Sequence, residues 1–209
     1  MKILYFGDSI TDCGRNCDRG SLLNIGQGYA LITCAKLGAE YPGKFEFDNT
    51  GISGNRIVDL YARIKSDCWN CNPDVLSILI GVNDVWHEIN YKNGVEADRF
   101  EAVYRMMIAD TLKARPGIKI MILEPFILKG YATEENWTEF YEGTRERAAI
   151  AKKIAEEFKL VFVPLQQIFD DACKLREAPY WIGDGVHPTP AGHQLIADAW
   201  LDAFKSNIL

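Results

Sequence analysis

The stretch Met1-Lys2-Ile3-Leu4-Tyr5-Phe6-Gly7-Asp8-Ser9-Ile10 places a serine at the end of the first apolar run of the chain. The run predicts a buried parallel strand over Lys2–Phe6 that stops at a glycine-containing turn. A hydroxyl nucleophile must be held rigidly and still be exposed, and a strand that ends in a tight turn meets both needs. Gly-Asp-Ser alone is weak evidence, because the same residues form ordinary turns. The rest of the chain has to decide between the two interpretations.

Apolar strand-like runs alternate with longer helical patterns over the whole sequence. The predicted strands after the first are Lys44–Asn49, Asp74–Ile80, Ile118–Leu123 and Leu160–Val163. The predicted helices are, to within a few residues, Tyr29–Glu40, Arg56–Lys65, Asp98–Arg115, Glu135–Phe158 and Pro190–Phe204. This alternation predicts an α/β fold, a flavodoxin-like doubly wound α/β/α sandwich with a five-stranded parallel sheet. Since the chain has 209 residues, we expect one domain over residues 1–209.

Composition and charge exclude several classes of partner. Apolar residues make up 48% and charged residues 25% of the chain, which is ordinary for a soluble globular protein. The net charge of -6 and the scattered Lys and Arg residues argue against nucleic acid. No run approaches the ~18 apolar residues of a membrane span. Because strand-like sequence begins at Lys2, there is no room for a signal peptide, and we expect a cytoplasmic protein that binds no membrane.

Six cysteines, at positions 13, 17, 34, 68, 71 and 173, are expected to be thiols in a reducing compartment. Cys68 and Cys71, together with Cys13 and Cys17, have short spacings that also suit a four-thiolate zinc site. The wider spacing of the first pair and the separate loops favour isolated thiols. We therefore predict no metal and no other cofactor.

Three further polar segments lie where strand ends and the closing loop of the chain would place them. They are Asn49-Thr50-Gly51-Ile52-Ser53-Gly54-Asn55, Gly81-Val82-Asn83-Asp84 and Asp184-Gly185-Val186-His187-Pro188. In a doubly wound sheet the carboxyl ends of the strands form the active-site edge, and we expect each segment to reach the edge that carries Ser9.

These segments supply what a serine nucleophile needs. A serine hydroxyl requires an adjacent base, for which histidine is suited, and the imidazole requires a carboxylate to fix its tautomer. Asp184 and His187 are three residues apart, so Asp184 can reach Nδ1 while Nε2 faces Ser9. Acyl transfer also needs donors for the developing oxyanion. The Ser9 N–H, the Gly54 N–H and the Asn83 side chain are the candidates, with glycine at position 54 allowing close approach to the backbone.

The four segments, in this order, resemble the blocks of the SGNH (GDSL) hydrolase family. They extend from Gly7 to Pro188, so the resemblance covers nearly the whole chain. It implies a serine esterase with Ser9 as nucleophile, His187 as general base and acid and Asp184 as orienting carboxylate. It also implies an oxyanion hole made of the Ser9 and Gly54 N–H groups and Asn83. Ile10 stands where the family motif has leucine, a change that conserves volume.

Three stretches of sequence resemble one group of enzymes within this family. Gly7-Asp8-Ser9-Ile10-Thr11-Asp12-Cys13-Gly14-Arg15, Gly26-Gln27-Gly28-Tyr29 and Gly81-Val82-Asn83-Asp84-Val85-Trp86 look like the intracellular bacterial acetylxylan esterases. This implies a small acylated substrate, an acetylated oligosaccharide, and a tendency to form homo-oligomers. Candidate substrate-binding residues are Asp8, Trp86, Tyr180 and Trp181. The aromatic rings could stack on a sugar or cover the sheet edge, and Asp8 could equally be a turn residue.

Rival interpretations remain at this point. A lysophospholipase or thioesterase of the same family would carry the same four blocks. A nucleotide- or phosphate-binding module would need a glycine-rich phosphate loop, which is absent from the sequence. A non-catalytic ligand-binding module on this fold is disfavoured by the complete set of Ser, Asn, Asp and His. His193 is a second candidate base, but it lies in a predicted helix and is interpreted as structural. His87 is expected to border the site, and the glycine-rich segment Cys13–Gly28 is expected either to rim the site or to make subunit contacts.

Overall fold

In the computed structural model, which describes residues 1–18 and 21–209, all five predicted strands are present in one parallel sheet. The strands are β1 (Lys2–Gly7), β2 (Glu46–Asn49), β3 (Val75–Leu79), β4 (Lys119–Leu123) and β5 (Val161–Val163). Their order is β2-β1-β3-β4-β5, and every neighbouring pair is parallel. This is the flavodoxin-like strand order, so the predicted fold is confirmed. The order changes direction at β1 and β3, where a ligand crevice is expected beyond the strand ends.

Helices cover both faces of the sheet. They are α1 (Ser9–Asp12), α2 (Tyr29–Glu40), α3 (Ile57–Ala62), α4 (Ile64–Asp67), α5 (Val82–Tyr91), α6 (Ala97–Ala114), α7 (Trp137–Glu157), α8 (Gln166–Ala172), α9 (Ala178–Trp181) and α10 (Pro190–Asn207). Short 3-10 turns cover Leu22–Ile25 and Trp69–Cys71. The five predicted helices agree with α2, α3–α4, α6, α7 and α10, whereas α1, α5, α8 and α9 were not predicted.

Two details differ from the sequence prediction and bear on the site. The helix expected over Arg56–Lys65 is interrupted at Arg63, whose backbone (φ -109°, ψ 8°) leaves the helical region between α3 and α4. The polar segment Gly81–Asp84, read as a loop, is instead the entry into a ten-residue helix, α5. Asn83 is therefore held on a helix rather than on a free loop.

The sheet is buried on both faces, as its nearly continuous apolar strands predict. Along β1 the side chains of Ile3 and Tyr5 enter the core beneath α2 and α10, while Leu4 and Phe6 enter the core beneath α3, α4 and α6. This alternation follows from the two-residue period of a strand. Since both faces are packed, the strand ends that carry the polar segments are held in fixed positions.

The described residues form neither a membrane-spanning helix nor a cluster of metal-ligating side chains. No helix within residues 1–18 and 21–209 combines the length and apolar character needed to cross a bilayer. Over the same ranges, no three His, Cys, Asp or Glu side chains are grouped so that they could hold a metal ion. Cys68 and Cys71 lie in the core beneath α3 and α4, whereas Cys13 bonds to His193 on the opposite face.

Candidate active site

Ser9 is the first residue of α1, directly after the end of β1. The carboxylate of Asp8 caps this helix by accepting a hydrogen bond from the Ile10 N–H at 3.0 Å. A Cβ on Gly7 would lie 2.4 Å from the Leu79 carbonyl oxygen and 2.5 Å from Thr11 Oγ1, so only glycine fits there. The strand, the glycine and the cap together hold the half-buried Ser9 in one orientation.

A hydrogen-bonded relay links Ser9 to His187 and Asp184. Ser9 Oγ lies 2.8 Å from His187 Nε2, and His187 Nδ1 lies 2.5 Å from Asp184 Oδ2. Because a carboxylate only accepts, Nδ1 carries the proton and donates it, which leaves Nε2 to accept from the serine hydroxyl. The other Asp184 oxygen, Oδ1, accepts from the backbone N–H of Val186 at 2.8 Å and of His187 at 2.7 Å. The structure thus brings together the three residues in the arrangement that the sequence predicts.

The relay changes the acidity of both partners. The hydrogen bond that His187 donates to Asp184 raises the pKa of His187 above its ordinary value, against the opposing effect of burial. Partial burial acts to raise the pKa of Asp184, but the bonds from the His187 side chain and from the two backbone N–H groups outweigh it and hold the pKa below its ordinary value. Asp184 is therefore ionised at neutral pH and stabilises the protonated form of His187.

The Asp-His loop, residues 184–187, is held by the segment that follows β4. Leu128 N–H donates to the Gly185 carbonyl at 3.0 Å, and Ala132 N–H donates to the Asp184 carbonyl at 3.1 Å. A Cβ on Gly130 would lie only 2.2 Å from the Gly185 nitrogen. Two backbones approach each other here without intervening side chains, which fixes the position of Asp184.

The Gly54 loop, residues 50–55, bonds to the residues on both sides of Ser9 in sequence, Gly7 and Asp12, and carries the predicted backbone donor. Gly54 has φ +82° and a Cβ there would meet only His87 Cε1, at 3.9 Å, so the left-handed backbone rather than crowding within the chain explains the glycine. Asn83, in the first turn of α5, donates from Nδ2 to the Asn55 carbonyl at 3.1 Å. An amide has two N–H groups, so the second is available to a ligand.

Three charged residues for which the sequence predicts no role hold the Gly54 loop. Asp12 Oδ2 accepts from the Ser53 N–H at 3.0 Å and the Ser53 hydroxyl at 2.8 Å. Arg15 Nε donates to the Gly51 carbonyl at 2.6 Å. The third is Arg63, which contacts both ends of the loop. Asp12 and Arg15 fall within a motif stretch quoted above, whereas periodicity gives no signal for Arg63.

Two buried carboxyl groups lie next to the site. Asp8 is 1% exposed and Asp84 is not exposed, and burial raises the pKa of Asp8 to about 7 and that of Asp84 to about 8. Asp8 Oδ2 has no hydrogen-bond partner among the described residues. Asp8 was a candidate for substrate contact, but its carboxyl lies beneath the surface and caps α1.

The aromatic candidates occupy different places. The Trp86 ring centroid is 5.8 Å from that of His187 and 6.0 Å from that of Phe140, so Trp86 walls the relay. Trp181 directs its indole N–H to the carbonyls of Ala172 and Arg176, both at 3.1 Å, at the end of α8. Tyr180 is 52% exposed and packs on Trp181 and Arg176. The described contacts bring Trp86 to the relay and place Tyr180 and Trp181 against α8 and its following turn.

The remaining histidines also have defined positions. His193 is 4% exposed, accepts from the Tyr29 N–H at 3.1 Å through Nδ1 and lies 3.3 Å from Cys13 Sγ through Nε2. Burial lowers the pKa of His193 to about 4, which fits the structural interpretation. His87 borders the Gly54 loop. Of the predicted rim segment Cys13–Gly28, residues 19 and 20 lie outside the described residues, and Arg15 contacts the Gly54 loop.

Comparison with known proteins gives consistent results. The model of the GDSL-like lipase/acylhydrolase family matches residues 5–195. An acetylxylan esterase from Geobacillus stearothermophilus is 36% identical over 96% of this chain and 92% of its own length. The crystal structure of Axe2, an acetylxylan esterase from the same organism, has a TM-score of 0.87 at 34% identity, covering 97% of this chain and 93% of Axe2.

Other solved structures extend this similarity. A putative GDSL-like lipase from Parabacteroides merdae has a TM-score of 0.93 at 40% identity and covers 98% of this chain and 95% of its own. Two further Axe2 structures are catalytic mutants, one with an aspartate and one with a serine replaced by alanine. The similarity therefore extends over the sheet, the helices and all four polar segments.

Proposed function

The chain belongs to the GDSL-like lipase/acylhydrolase family and is a carboxylic ester hydrolase, and on that premise we propose that it removes acetyl groups from xylan-type oligosaccharides. The observation that carries the proposed chemistry is the Ser9–His187–Asp184 relay, with its distances of 2.8 and 2.5 Å. The similarity to acetylxylan esterases supports the choice of acyl group and sugar.

In the first half of the proposed reaction, Ser9 Oγ attacks the carbonyl carbon of the acetyl ester. His187 Nε2 takes the hydroxyl proton as the new C–O bond forms, and Asp184 stabilises the resulting imidazolium. The raised pKa of His187 supports this assignment, because a stronger base takes the proton more readily. That serine and aspartate replacements in Axe2 are catalytic mutants supports the same roles here.

The carbonyl oxygen becomes negatively charged in the tetrahedral intermediate. The Ser9 N–H, the Gly54 N–H and the second N–H of Asn83 are the proposed donors to it. When the intermediate collapses, His187 returns its proton to the departing sugar oxygen, and the acetyl group stays on Ser9. A water molecule, deprotonated by His187, then attacks the acetyl-serine, and His187 returns the proton to Ser9 Oγ as acetate leaves. These steps use no metal or organic cofactor.

The accessibility of the site supports a sugar as leaving group. The His187 side chain is 44% exposed, and Ile52 and Ser53 of the Gly54 loop are exposed as well. Trp86 adds an aromatic wall beside His187, a surface on which a sugar ring can pack. A site open at the surface suits a bulky polar alcohol, whereas a long acyl chain requires an enclosed apolar pocket.

An acyl-chain series tests the proposal. Chromogenic esters from acetate to octanoate are assayed beside acetylated xylose and acetylated xylo-oligosaccharides, with Ser9→Ala as the inactive control. We expect kcat/KM to be highest for acetate and acetate to be released from the oligosaccharides. A preference for octanoate, or no release from acetylated sugars, would instead favour a lysophospholipase or thioesterase activity.

A further inference from the structure

We propose that Arg63 is a positioning residue for the oxyanion hole, which it sets by clamping both ends of the Gly54 loop. The inference rests on the proposed function, since it presupposes that Gly54 and Asn83 donate to the oxyanion. The described hydrogen bonds of Arg63 include none to Ser9, His187 or Asp184. Arg63 acts through Asn55, which lies between the guanidinium and Asn83.

The guanidinium joins two strand ends. Arg63 Nη2 donates to the Gly7 carbonyl at 3.2 Å, two residues before Ser9, and Nη1 donates to the Thr50 carbonyl at 2.7 Å, just after β2. The Arg63 carbon Cζ lies 4.5 Å from the centroid of the Phe6 ring, so the planar group is stacked as well as hydrogen-bonded. One side chain thus fixes the Gly54 loop relative to the strand that carries the nucleophile.

Arg63 is set in a largely buried position. Its side chain is 14% exposed, and burial lowers the pKa of the guanidinium, although arginine stays protonated in proteins. Asp67, one turn later, compensates the charge at 3.0 Å from Nη1. The break between α3 and α4 falls at Arg63 itself. A buried charged group of this kind is costly unless its donors are satisfied, and here four acceptors surround it.

A short chain of hydrogen bonds leads from Arg63 to the oxyanion donors. Arg63 Nε donates to Asn55 Oδ1 at 2.7 Å, which fixes the side chain of the residue after Gly54. The Asn55 carbonyl in turn accepts one N–H of Asn83 at 3.1 Å. With that N–H bound, the amide plane is fixed and the second N–H points in one direction. Moving Asn55 therefore moves the Asn83 amide, to which it is bonded, and shifts the neighbouring Gly54, whose N–H is the second donor.

The Gly54 loop needs such a clamp because its two glycines make its backbone conformationally flexible. Glycines at positions 51 and 54 widen the range of accessible conformations, and Gly54 lies at φ +82°. Arg15 and Asp12 hold the loop through Gly51 and Ser53. Arg63 holds its first and last residues, Thr50 and Asn55, from one rigid group.

Lysine cannot replace this arginine. An ammonium group is a point charge on a flexible stem, whereas the guanidinium presents donors in a planar fork with fixed directions. The Arg63→Lys variant keeps the charge near Asp67 but loses the simultaneous contacts to Gly7, Thr50 and Asn55. The Arg63→Lys variant therefore tests the loss of the three directed contacts without a loss of the positive charge.

The test is a double-mutant cycle with p-nitrophenyl acetate, which measures whether Arg63 acts through Asn83. We expect Arg63→Lys to lower kcat about tenfold with KM changed less than about twofold, because an oxyanion interaction exists mainly in the transition state. In the Asn83→Ala background, we expect the same change to lower kcat less than about threefold, since residues that act as a unit are not additive. The acidic midpoint of the pH–rate profile should stay in place, because the relay is untouched.

Arg105→Lys is the matched control. Arg105 forms ion pairs with Glu101 and Glu157 on the α6–α7 surface, away from the Gly54 loop. This variant should keep the kcat of the parent. The Asn55→Ala variant removes only the Asn55 arm and serves if Arg63→Lys does not fold; it should lower kcat in the wild-type background and have little effect beside Asn83→Ala.

The outcomes distinguish a failure of the proposed Arg63 role from a failure of the proposed oxyanion hole. Equal losses from Arg63→Lys in both backgrounds, or a kcat within about twofold of the parent, would overturn the positioning role while leaving the oxyanion hole in place. If Asn83→Ala itself keeps the parent kcat, the proposed hole is wrong and the role of Arg63 falls with it. Non-additive losses with an unchanged pH midpoint support the clamp.

Discussion

The Gly54 loop and the Asp-His loop are held in different ways. Charged side chains hold the Gly54 loop, through Asp12, Arg15 and Arg63. Backbone hydrogen bonds and a close contact between glycines hold the Asp-His loop. The Gly54 loop also contains one close backbone approach, since a Cβ on Gly51 would lie 2.5 Å from the Asp12 nitrogen. The charged anchors are therefore the difference between the two loops: replacing an anchor should disturb the Gly54 loop, and an added methyl group at Gly130 tests the backbone contact that holds the Asp-His loop.

The largest effect is expected at the Asp-His loop itself. Asp184→Asn should lower kcat by about 10³- to 10⁴-fold, because an amide no longer fixes the His187 tautomer or stabilises its charge. The measurement is steady-state hydrolysis of p-nitrophenyl acetate, with circular dichroism to verify folding. An unchanged kcat would mean that another group orients His187.

The next largest effect is expected at Asn83, which bonds to the Gly54 loop. Asn83→Ala should fold normally and lose about 10²- to 10³-fold in kcat, the usual contribution of one oxyanion donor. KM for p-nitrophenyl acetate should change little, because the interaction forms in the transition state. Near-normal turnover in the folded variant would remove Asn83 from the mechanism.

An added methyl group tests the packing side of the comparison. Gly130→Ala would place Cβ 2.2 Å from the Gly185 nitrogen, and we expect a loss of about 2–3 kcal/mol in the free energy of unfolding together with reduced kcat. Gly38→Ala is the matched control, since a Cβ there meets no atom of the described residues within 4 Å and the site is helical. The control should be stabilised by about 0.5–1 kcal/mol. Equal denaturation midpoints for the two variants would contradict the glycine contact.

The smallest expected effect is a shift of the acidic limb of the kcat/KM profile when the charge of Asp8 is removed. Protonation of His187 removes the base, so kcat/KM should fall as the pH drops through the His187 pKa. Asp184 raises that pKa most, and the nearby charge of Asp8 raises it further. Asp8→Asn keeps an oxygen to cap Ile10 but removes the charge, and it should therefore move the acidic limb to lower pH. A limb that stays in place or moves to higher pH would show that Asp8 does not act on His187 by charge.

The sheet and the position of Ser9 can be predicted from the sequence, because each strand and the turn that ends it are encoded by neighbouring residues. The apolar runs identify all five strands. Ser9 follows β1 and Asn83 follows β3, so the parallel sheet places both at one edge, and His187, from the loop before α10, bonds to Ser9. The helix α5 was missed because its glycine- and asparagine-rich entry resembles a turn, although Val82, Val85 and Ile89 have helical spacing.

The clamp on the Gly54 loop is a property of the folded chain that local patterns do not encode. Arg63 lies in a predicted helix, where a charged residue is expected to face solvent, yet three of its four acceptors lie 8, 13 and 56 residues away in sequence. The direction of Trp181 toward α8 is likewise set by tertiary packing. Such contacts become visible only when the elements between them have folded.

The central claim, that Ser9 is the nucleophile activated by the relay, is tested most directly by covalent labelling. An organophosphonate is incubated with the parent protein, with Ser9→Ala and with His187→Ala, and intact mass and peptide mapping follow the adduct. If Ser9 is the activated nucleophile, we expect a single phosphonyl group on Ser9 of the parent, none on Ser9→Ala and much slower labelling of His187→Ala. Labelling of Ser9→Ala equal to that of the parent, or an active parent whose Ser9 stays unmodified, would contradict this claim.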